Sequence, residues 1–307
     1  MRRRYALVDQ VGAGGMGTVW RAWDRHERRW VAAKLLTDNP ARTDAAMLER
    51  FVHEQGLRVR HRHVVAPRDR AVDAAGRTLF TMDLVRGGSL DQLLERHGPL
   101  PDAYVRVVLE QVLEALVAVH AAGVVHRDLK PANLLLEPTG TGRPWVRLGD
   151  FGVAVRATGP RLTQVPGVVG TSGYLAPEQA AGAAPDPGQD VYAAGVVAIE
   201  LLTGAGPGAT SPEGPLGRFL SRLTATDPRQ RPADAAEALV LLRRLGVPAG
   251  APWQDDPSPP DVVDAYADPS PPMRRRGRRV PTYAVVVPAV FASSGLVGAS
   301  ASWLLLR

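Results

Sequence analysis

The chain has 307 residues, 45% hydrophobic and 22% charged, which is typical of a globular protein with room for two or three lobes and excludes a disordered one. It has no cysteine, which excludes a disulfide framework and thiol chemistry. The net charge of +6 comes from eight arginines in residues 2–4 and 274–279, and removing these eight from +6 leaves −2 for the remainder. A nucleic-acid-binding protein should carry a basic face on its fold, so we expect no nucleic-acid partner.

Lysine and asparagine are unusually rare. Of the 37 Lys and Arg residues only Lys34 and Lys130 are lysine, and the only asparagines are Asn39 and Asn133. Arginine presents a planar fork, whereas lysine delivers a compact charge on a flexible stem. We therefore expect both lysines to lie where a point charge is required.

A glycine-rich stretch comes first along the chain. Residues 11–19 fit the pattern G-x-G-x-x-G-x-V. In dinucleotide-binding folds such glycines lead into a helix, but here the β-branched and aromatic residues 18–23 predict a strand. With residues 5–11 before it, the stretch predicts a β-hairpin whose glycine tip lays backbone amides over phosphates. The alternative is an ordinary glycine-rich turn.

An apolar strand at residues 30–36 is interrupted by Lys34. A buried ammonium needs a partner or it loses its proton. The helical stretch that follows, at about residues 43–60, contains Glu54 and Glu49 as candidates, and a surface role is the alternative for both.

Two further strands, at residues 64–72 and 78–84, precede a long amphipathic helix at residues 101–122. The helix leads into residues 126–133, His-Arg-Asp-Leu-Lys-Pro-Ala-Asn, and then into an apolar strand. A short loop that carries a carboxylate and an amide can hold the first near a substrate hydroxyl and the second near a metal ion. The alternative is a polar turn that arises by chance.

Residues 126–133 resemble the catalytic loop of protein kinases, H-R-D-L-x-x-x-N. Three more motifs follow in that family's order: Asp-Phe-Gly at residues 150–152, Ala-Pro-Glu at 176–178 and Asp-Pro-x-x-Arg at 227–231. The chain resembles the bacterial serine/threonine protein kinases of the eukaryotic-like (Hanks) type. A nucleotide-binding pseudokinase that serves as a membrane scaffold, and a small-molecule phosphotransferase of related fold, are the alternatives.

The resemblance implies an α+β, bilobal protein-kinase fold over residues 4–246. A small β-rich lobe with one main helix would occupy residues 4–85, and a larger helical lobe residues 86–246. Between Gly204 and Asp227 lie only 22 residues, rich in Gly and Pro, where kinases usually place another helix. We therefore expect a trimmed large lobe, which puts the docking surface for protein substrates in doubt.

The family transfers the γ-phosphoryl group of ATP to hydroxyls of protein substrates with Mg²⁺, or Mn²⁺, as the metal. By resemblance, Asp128 would accept the hydroxyl proton, Lys130 would contact the γ-phosphoryl group, and Lys34 would fix the phosphates with Glu54 as its partner. Lys130 also favours serine and threonine over tyrosine as acceptors. The other implied site residues are Asn133 and Asp150 for the metal and, for ATP, Val11, Gly12, Ala13, Gly14, Gly15, Met16, Gly17, Val19, Ala32, Met82, Asp83, Val85 and Leu135.

The resemblance also predicts regulation by phosphorylation. Arg127 directly precedes Asp128, and in kinases with this pair the arginine typically meets a phosphate on the activation loop. Thr163 resembles a phosphorylated loop threonine, whereas Thr171 should serve as a structural hydroxyl. We expect self-activation at Thr163, with a dimer as one route to phosphorylation in trans. The alternative is a loop that orders without modification.

The end of the chain changes in composition. Residues 247–273 hold eight prolines and five aspartates, so residues 247–279 predict a disordered linker that ends in the arginine cluster. Residues 280–306 carry no charge over 27 positions, which at about 1.5 Å per residue exceeds a hydrocarbon core of roughly 30 Å. Since residues 1–10 do not form a secretory signal, we expect a single-pass protein of the cell membrane, anchored in the bilayer with its kinase domain in the cytoplasm. A buried core helix is the alternative.

Overall fold

The computed structural model describes residues 4–14, 17–36, 59–72, 77–151, 155–156, 173–266 and 282–285. They form a small β-lobe followed by a larger helical lobe, as predicted. The strands are β1 Tyr5–Gly14, β2 Gly17–Asp24, β3 Arg29–Leu36, β4 Pro67–Val72, β5 Thr78–Asp83, β6 Val124–Val125, β7 Leu134–Leu136, β8 Val146–Leu148, β9 Val155–Arg156 and β10 Thr282–Val285. The α-helices are α1 Leu90–His97, α2 Asp102–Ala121, α3 Pro177–Ala180, α4 Pro187–Thr203, α5 Gly214–Leu223 and α6 Ala235–Leu245.

The small lobe is an antiparallel sheet in which β1 and β2 form the predicted glycine-tipped hairpin, with Gly14 opposite Gly17. Strand β3, which carries Lys34, lies between β2 and β5. Val19 of β2 lies opposite Lys34, and Ala32 of β3 lies opposite Met82 of β5. One face of the sheet packs into its own apolar core, formed by Tyr5, Leu7, Ala22, Val31, Ala33, Ala71 and Leu79.

The first residues of the predicted membrane span lie in this sheet. β10 pairs antiparallel with β1, where Tyr5 is opposite Tyr283, and with β4, where Val72 is opposite Ala284, so the six strands close into a barrel. Without β10, β1 and β4 would be edge strands with unpaired backbone groups, which readily recruit a further strand. Across the described ranges, no helix combines the length and the apolar character needed to cross a membrane.

The large lobe is built on α2 and α4, which pack on each other and on α6. Asp186 caps the start of α4, and its side chain accepts a hydrogen bond from the Gly188 backbone N–H at 2.8 Å; Gly204, with φ 66°, caps the end. Such a left-handed residue after the last turn favours glycine. Both helices are largely buried, so their position is set by packing and not by helix propensity.

Residues 204–226, the region expected to be trimmed, hold the helix α5. Its apolar face buries Leu216, Phe219, Leu220 and Leu223, and these contacts outweigh the poor helix propensity of a Gly- and Pro-rich sequence. Gly195 of α4 permits the close approach, since a Cβ there would lie 2.8 Å from the Leu223 Cβ.

The prediction of a disordered linker is wrong for residues 247–266, which pack on the large lobe. Trp253 is 1% exposed, its ring centre lies 4.9 Å from that of Tyr104 in α2, and its Nε1 donates to the Thr141 carbonyl at 2.9 Å. Composition alone predicted disorder, but one large buried aromatic supplies the apolar contact that such a segment otherwise lacks. The rest of the predicted linker, residues 267–279, lies outside the described residues.

Candidate active site

The loop at residues 126–133 is held in place by one buried carboxylate. Asp190, in the first turn of α4, accepts hydrogen bonds from the backbone N–H groups of His126 and Arg127, both at 2.8 Å. The third partner, His120 Nε2, also lies at 2.8 Å. Burial by itself raises the pKa of Asp190, but these partners outweigh it and hold the pKa below its usual range. The loop is therefore anchored to the core of the large lobe by an ionised group.

The loop brings together three of the predicted site side chains, two catalytic and one metal-binding. Asn133 Nδ2 donates to the backbone carbonyl of Asp128 at 2.7 Å and to its Oδ2 at 3.0 Å. Lys130 Nζ lies 3.0 Å from the same Oδ2. The amide of Asn133 and the ammonium of Lys130 fix the orientation of the Asp128 carboxylate. A group that accepts a proton from a positioned hydroxyl requires such a fixed orientation.

The predicted phosphate-binding lysine meets the next motif. Lys34, 8% exposed in β3, forms an ion pair with Asp150, whose own side chain is 43% exposed. Asp150 has φ 52°, an uncommon left-handed conformation for a non-glycine residue. Its neighbour Gly149 donates from its backbone N–H to the Asn133 carbonyl at 2.9 Å. This bond ties the two predicted metal-binding positions to each other.

The described candidates for nucleotide binding come from strands of both lobes and from the connection between them. The hairpin of β1 and β2 supplies Val11, Gly12, Ala13, Gly14, Gly17 and Val19; β3 supplies Ala32 and Lys34; β5 and the residues after it supply Met82, Asp83 and Val85; and β7 supplies Leu135. Leu135 pairs with Ser89 through an isolated bridge, and this pairing places Leu135 beside the connection between the lobes. The structure therefore joins residues that lie far apart in sequence.

Side chains at Asn133 and Asp150 fit a magnesium ion in donor chemistry, since both offer oxygen atoms. Among the described residues, no group of three or more His, Cys, Asp or Glu side chains could hold a metal ion. Mg²⁺ is commonly held by one or two protein ligands together with water and substrate phosphates, so two such ligands suffice.

Comparison with known proteins agrees with this geometry. Residues 5–226 match the protein kinase domain family. The chain belongs to this family. It is 35% identical to the serine/threonine-protein kinase PkaA of Streptomyces coelicolor, over 87% of this chain and 58% of that protein. It is 39% identical to the serine/threonine-protein kinase PknA of Mycobacterium tuberculosis, over 66% of this chain and 48% of that protein. The chain thus spans about half the length of these curated relatives.

The arginine of this kinase domain's catalytic loop is strained and partly buried. Arg127 has φ 66°, and among the described residues its Nε has no hydrogen-bond partner. Burial lowers the pKa of the Arg127 guanidinium, an effect that the carboxylate of Asp190 opposes. An anion placed beside this group would therefore be strongly favoured.

Two further contacts support the segment that ends the activation loop. Glu178 forms a bidentate pair with Arg231, at 2.6 and 2.9 Å. Tyr174 donates its hydroxyl to Glu200 of α4 at 2.6 Å. Both contacts tie the Ala-Pro-Glu segment to the large lobe.

Several predicted positions lie outside the described residues: Gly15, Met16, Glu49, Glu54, Thr163 and Thr171. Their assignments remain predictions. Conversely, the sequence motifs gave neither Asp190 nor His120 a role in the site. The available signal was an aspartate, Asp190, at the start of an otherwise apolar helix, because a charge there needs buried partners.

Proposed function

We propose that this protein is a serine/threonine protein kinase that transfers the γ-phosphoryl group of ATP to hydroxyls of protein substrates. The observation that carries the proposal is the meeting of two separate groups, the Lys34–Asp150 pair and the loop of Asp128, Lys130 and Asn133. The bond from the Gly149 backbone N–H to the Asn133 carbonyl joins them. The relatives named as serine/threonine-protein kinases support the same acceptor class.

Each residue has a distinct task under this proposal. Asp128, oriented by Asn133, takes the proton from the acceptor hydroxyl. Lys130, at 3.0 Å from that carboxylate, places a positive charge where the γ-phosphoryl group would pass. Lys34 fixes the non-transferred phosphates once ATP displaces its contact with Asp150. A magnesium ion held at Asn133 and Asp150 would neutralise charge on the phosphates.

Incubation of the purified full chain with γ-³²P-labelled ATP, Mg²⁺ and a generic protein substrate such as casein tests the proposal. We expect label on serine and threonine of both the substrate and the chain itself. A pseudokinase would bind nucleotide without transferring label, and a small-molecule phosphotransferase would label neither protein. Replacement of Mg²⁺ by Mn²⁺ in the same assay identifies the preferred metal.

We propose in addition that phosphorylation of Thr163 switches the enzyme on. The partly buried guanidinium of Arg127 is a cation that favours an anion, and a phosphothreonine brings about −1.5 to −2 charge with three acceptor oxygens. Val165 stands where related kinases carry a second loop threonine, so a single phosphate would have to order the loop. We expect Thr163→Ala to lower activity about tenfold or more, since one to three charge-assisted bonds are lost.

Mass spectrometry of the active protein together with rates for Thr163→Ala checks this switch, and Thr158→Ala in the same segment is the matched control. An unmodified Thr163 in fully active enzyme would contradict it. If phosphorylation occurs in trans within a dimer, the rate of Thr163 labelling per molecule should rise with protein concentration.

We also propose that the end of the chain anchors the kinase domain to the cell membrane. Since residues 282–285 pair in the small-lobe sheet, the uncharged segment available for a span is residues 286–306. Its 21 residues correspond to about 31 Å of helix, close to the thickness of a hydrocarbon core. The arginines of residues 274–279 favour the cytoplasm for the residues before the span.

Protease treatment tests the proposed topology. Protease added to intact spheroplasts should leave the kinase domain uncut, whereas protease added after detergent lysis should cleave it. Release of the protein into the soluble fraction without detergent would count against a span. A variant in which three of residues 286–306 are changed to aspartate is the control that should become soluble.

A further inference from the structure

Residues 247–266 form a segment, here called the strap, that follows α6 and runs along the large lobe. It reaches residues 84–89, which connect β5 to α1 and are here called the hinge. Its first anchor is Arg143, which donates to the Pro248 carbonyl, and its second is the buried Trp253. Further on, Val262 exchanges both backbone hydrogen bonds with Gly140, at 3.0 and 3.1 Å. The strap is therefore fixed to the large lobe at several points before it reaches the hinge.

The strap then binds the hinge itself. Val262, 1% exposed, packs against Gly87, where an added Cβ would lie 2.6 Å from the valine Cγ1. The backbone N–H of Ala265 donates to the Arg86 carbonyl at 2.8 Å. The Arg86 side chain donates in turn to the Tyr266 carbonyl at 2.8 Å and pairs with Asp264 at 2.7 Å.

The last described residue of the strap reaches the small lobe. The guanidinium carbon of Arg21 in β2 lies 5.3 Å from the centre of the Tyr266 ring, within the range of a cation–π contact. Arg21 is held from two other sides, by an ion pair with Asp9 and by the Trp30 ring at 4.5 Å. One short segment thus contacts the large lobe, the hinge and the small lobe in succession.

We infer that the strap sets the position of the hinge for ATP, and that Arg86 and Tyr266 are positioning residues for nucleotide binding. The inference rests on the proposed kinase function, because Val85, next to Arg86, is the residue whose backbone would contact adenine. Lobes of such enzymes close about a hinge of a few residues, and contacts on both sides of the hinge restrict its opening. The strap lies beyond residues 5–226, the part that matches the family.

The sharpest test uses the reciprocal coupling between nucleotide binding and the stability of the strap. If the strap favours the hinge geometry that binds ATP, bound nucleotide must stabilise the strap by the same factor. Hydrogen exchange of the unaltered full chain is measured with and without Mg²⁺ and the non-hydrolysable analogue AMP-PNP. We expect the Ala265 amide to exchange about fivefold more slowly with the analogue bound. Unchanged exchange at Ala265 when the analogue is bound overturns the inference.

Kinetics of variants supply the second readout. Tyr266→Ala should raise the KM for ATP about fivefold while kcat changes little, and Tyr266→Phe, which keeps the ring, should behave as the unaltered protein. His97→Ala is the matched control, since His97 contacts the strap at the Ser258 carbonyl, away from the hinge. An unchanged KM in Tyr266→Ala, or an equal rise in His97→Ala, overturns the positioning role.

The two proposals fail in different ways. If the unaltered chain neither binds AMP-PNP nor transfers phosphate, the kinase proposal itself is wrong. If it does both and Ala265 exchange and the Tyr266→Ala KM do not respond, only the role of the strap is wrong. Since the exchange experiment uses the unaltered protein, a variant that fails to fold does not affect it.

Discussion

Asp128→Asn should lower phosphoryl transfer by about a hundredfold to ten-thousandfold, because the amide cannot accept the proton of the substrate hydroxyl. The loop should keep its shape, since Asp128 is held through its backbone carbonyl by Asn133 as well as through its carboxylate. Nucleotide affinity should therefore remain near normal while kcat falls. Near-normal turnover in Asp128→Asn would refute its assignment as the catalytic base.

Lys34→Arg in the same assay should also cause a steep loss, although the charge is kept. The ammonium of Lys34 is buried and contacts Asp150, and a planar guanidinium cannot occupy that space as a point charge does. Arg229→Lys is the matched control, because Arg229 is exposed and the same two residue types are exchanged. Its activity and thermal midpoint should stay unchanged.

Arg231→Ala should lower the free energy of unfolding by about 3 kcal/mol, since removing one partner of a buried pair leaves the other charge uncompensated. Arg231 is 4% exposed and binds both oxygens of Glu178 and the Ala225 carbonyl at 2.7 Å. Urea denaturation measures the loss. Arg243→Ala, which removes the exposed pairs with Glu110 and Glu114, is the control and should cost about 1 kcal/mol or less.

The loss in Arg231→Ala should depend on pH in a definite direction. Burial raises the pKa of Glu178, but its hydrogen bond with Arg231 outweighs this and holds the pKa below its usual range. A carboxylate whose pKa is lowered by folding stabilises the fold at pH values above its pKa in the unfolded chain, about 4.3 for glutamate. This stabilisation is lost as the pH falls through the pKa of the folded protein. The difference between the two proteins should therefore shrink below about pH 4.3. A difference that grows there would contradict the ion-pair explanation.

Local patterns in the sequence predicted the hairpin of the small lobe and the long helix α2. The hairpin at residues 5–24 follows from β-branched and aromatic residues around glycines, and α2 follows from apolar residues at helical spacing. Both are signals that neighbouring residues carry. The α5 helix was missed for the opposite reason, since its glycine and proline residues argue against a helix and only burial against α4 stabilises it.

The strap is a second element that local sequence patterns could not predict. Its prolines and aspartates resemble a linker in composition, and nothing local distinguishes Trp253 as a buried anchor. The bond between Ala265 and Arg86 joins positions about 180 residues apart, and the contact of Tyr266 with Arg21 joins positions about 245 residues apart. No periodicity within a segment can specify a partner at that separation.

The sequence by itself determined the order of the motifs, the identity of the reactive groups and the family that they indicate, because these depend on residue types at short, fixed spacings. Only the tertiary structure decided which groups meet: Lys34 with Asp150, Asp190 with the backbone of the catalytic loop, and the strap with the hinge. Each of these contacts joins segments that are distant along the chain. Their energies come from burial and from exclusion of water, which exist only once the lobes have packed.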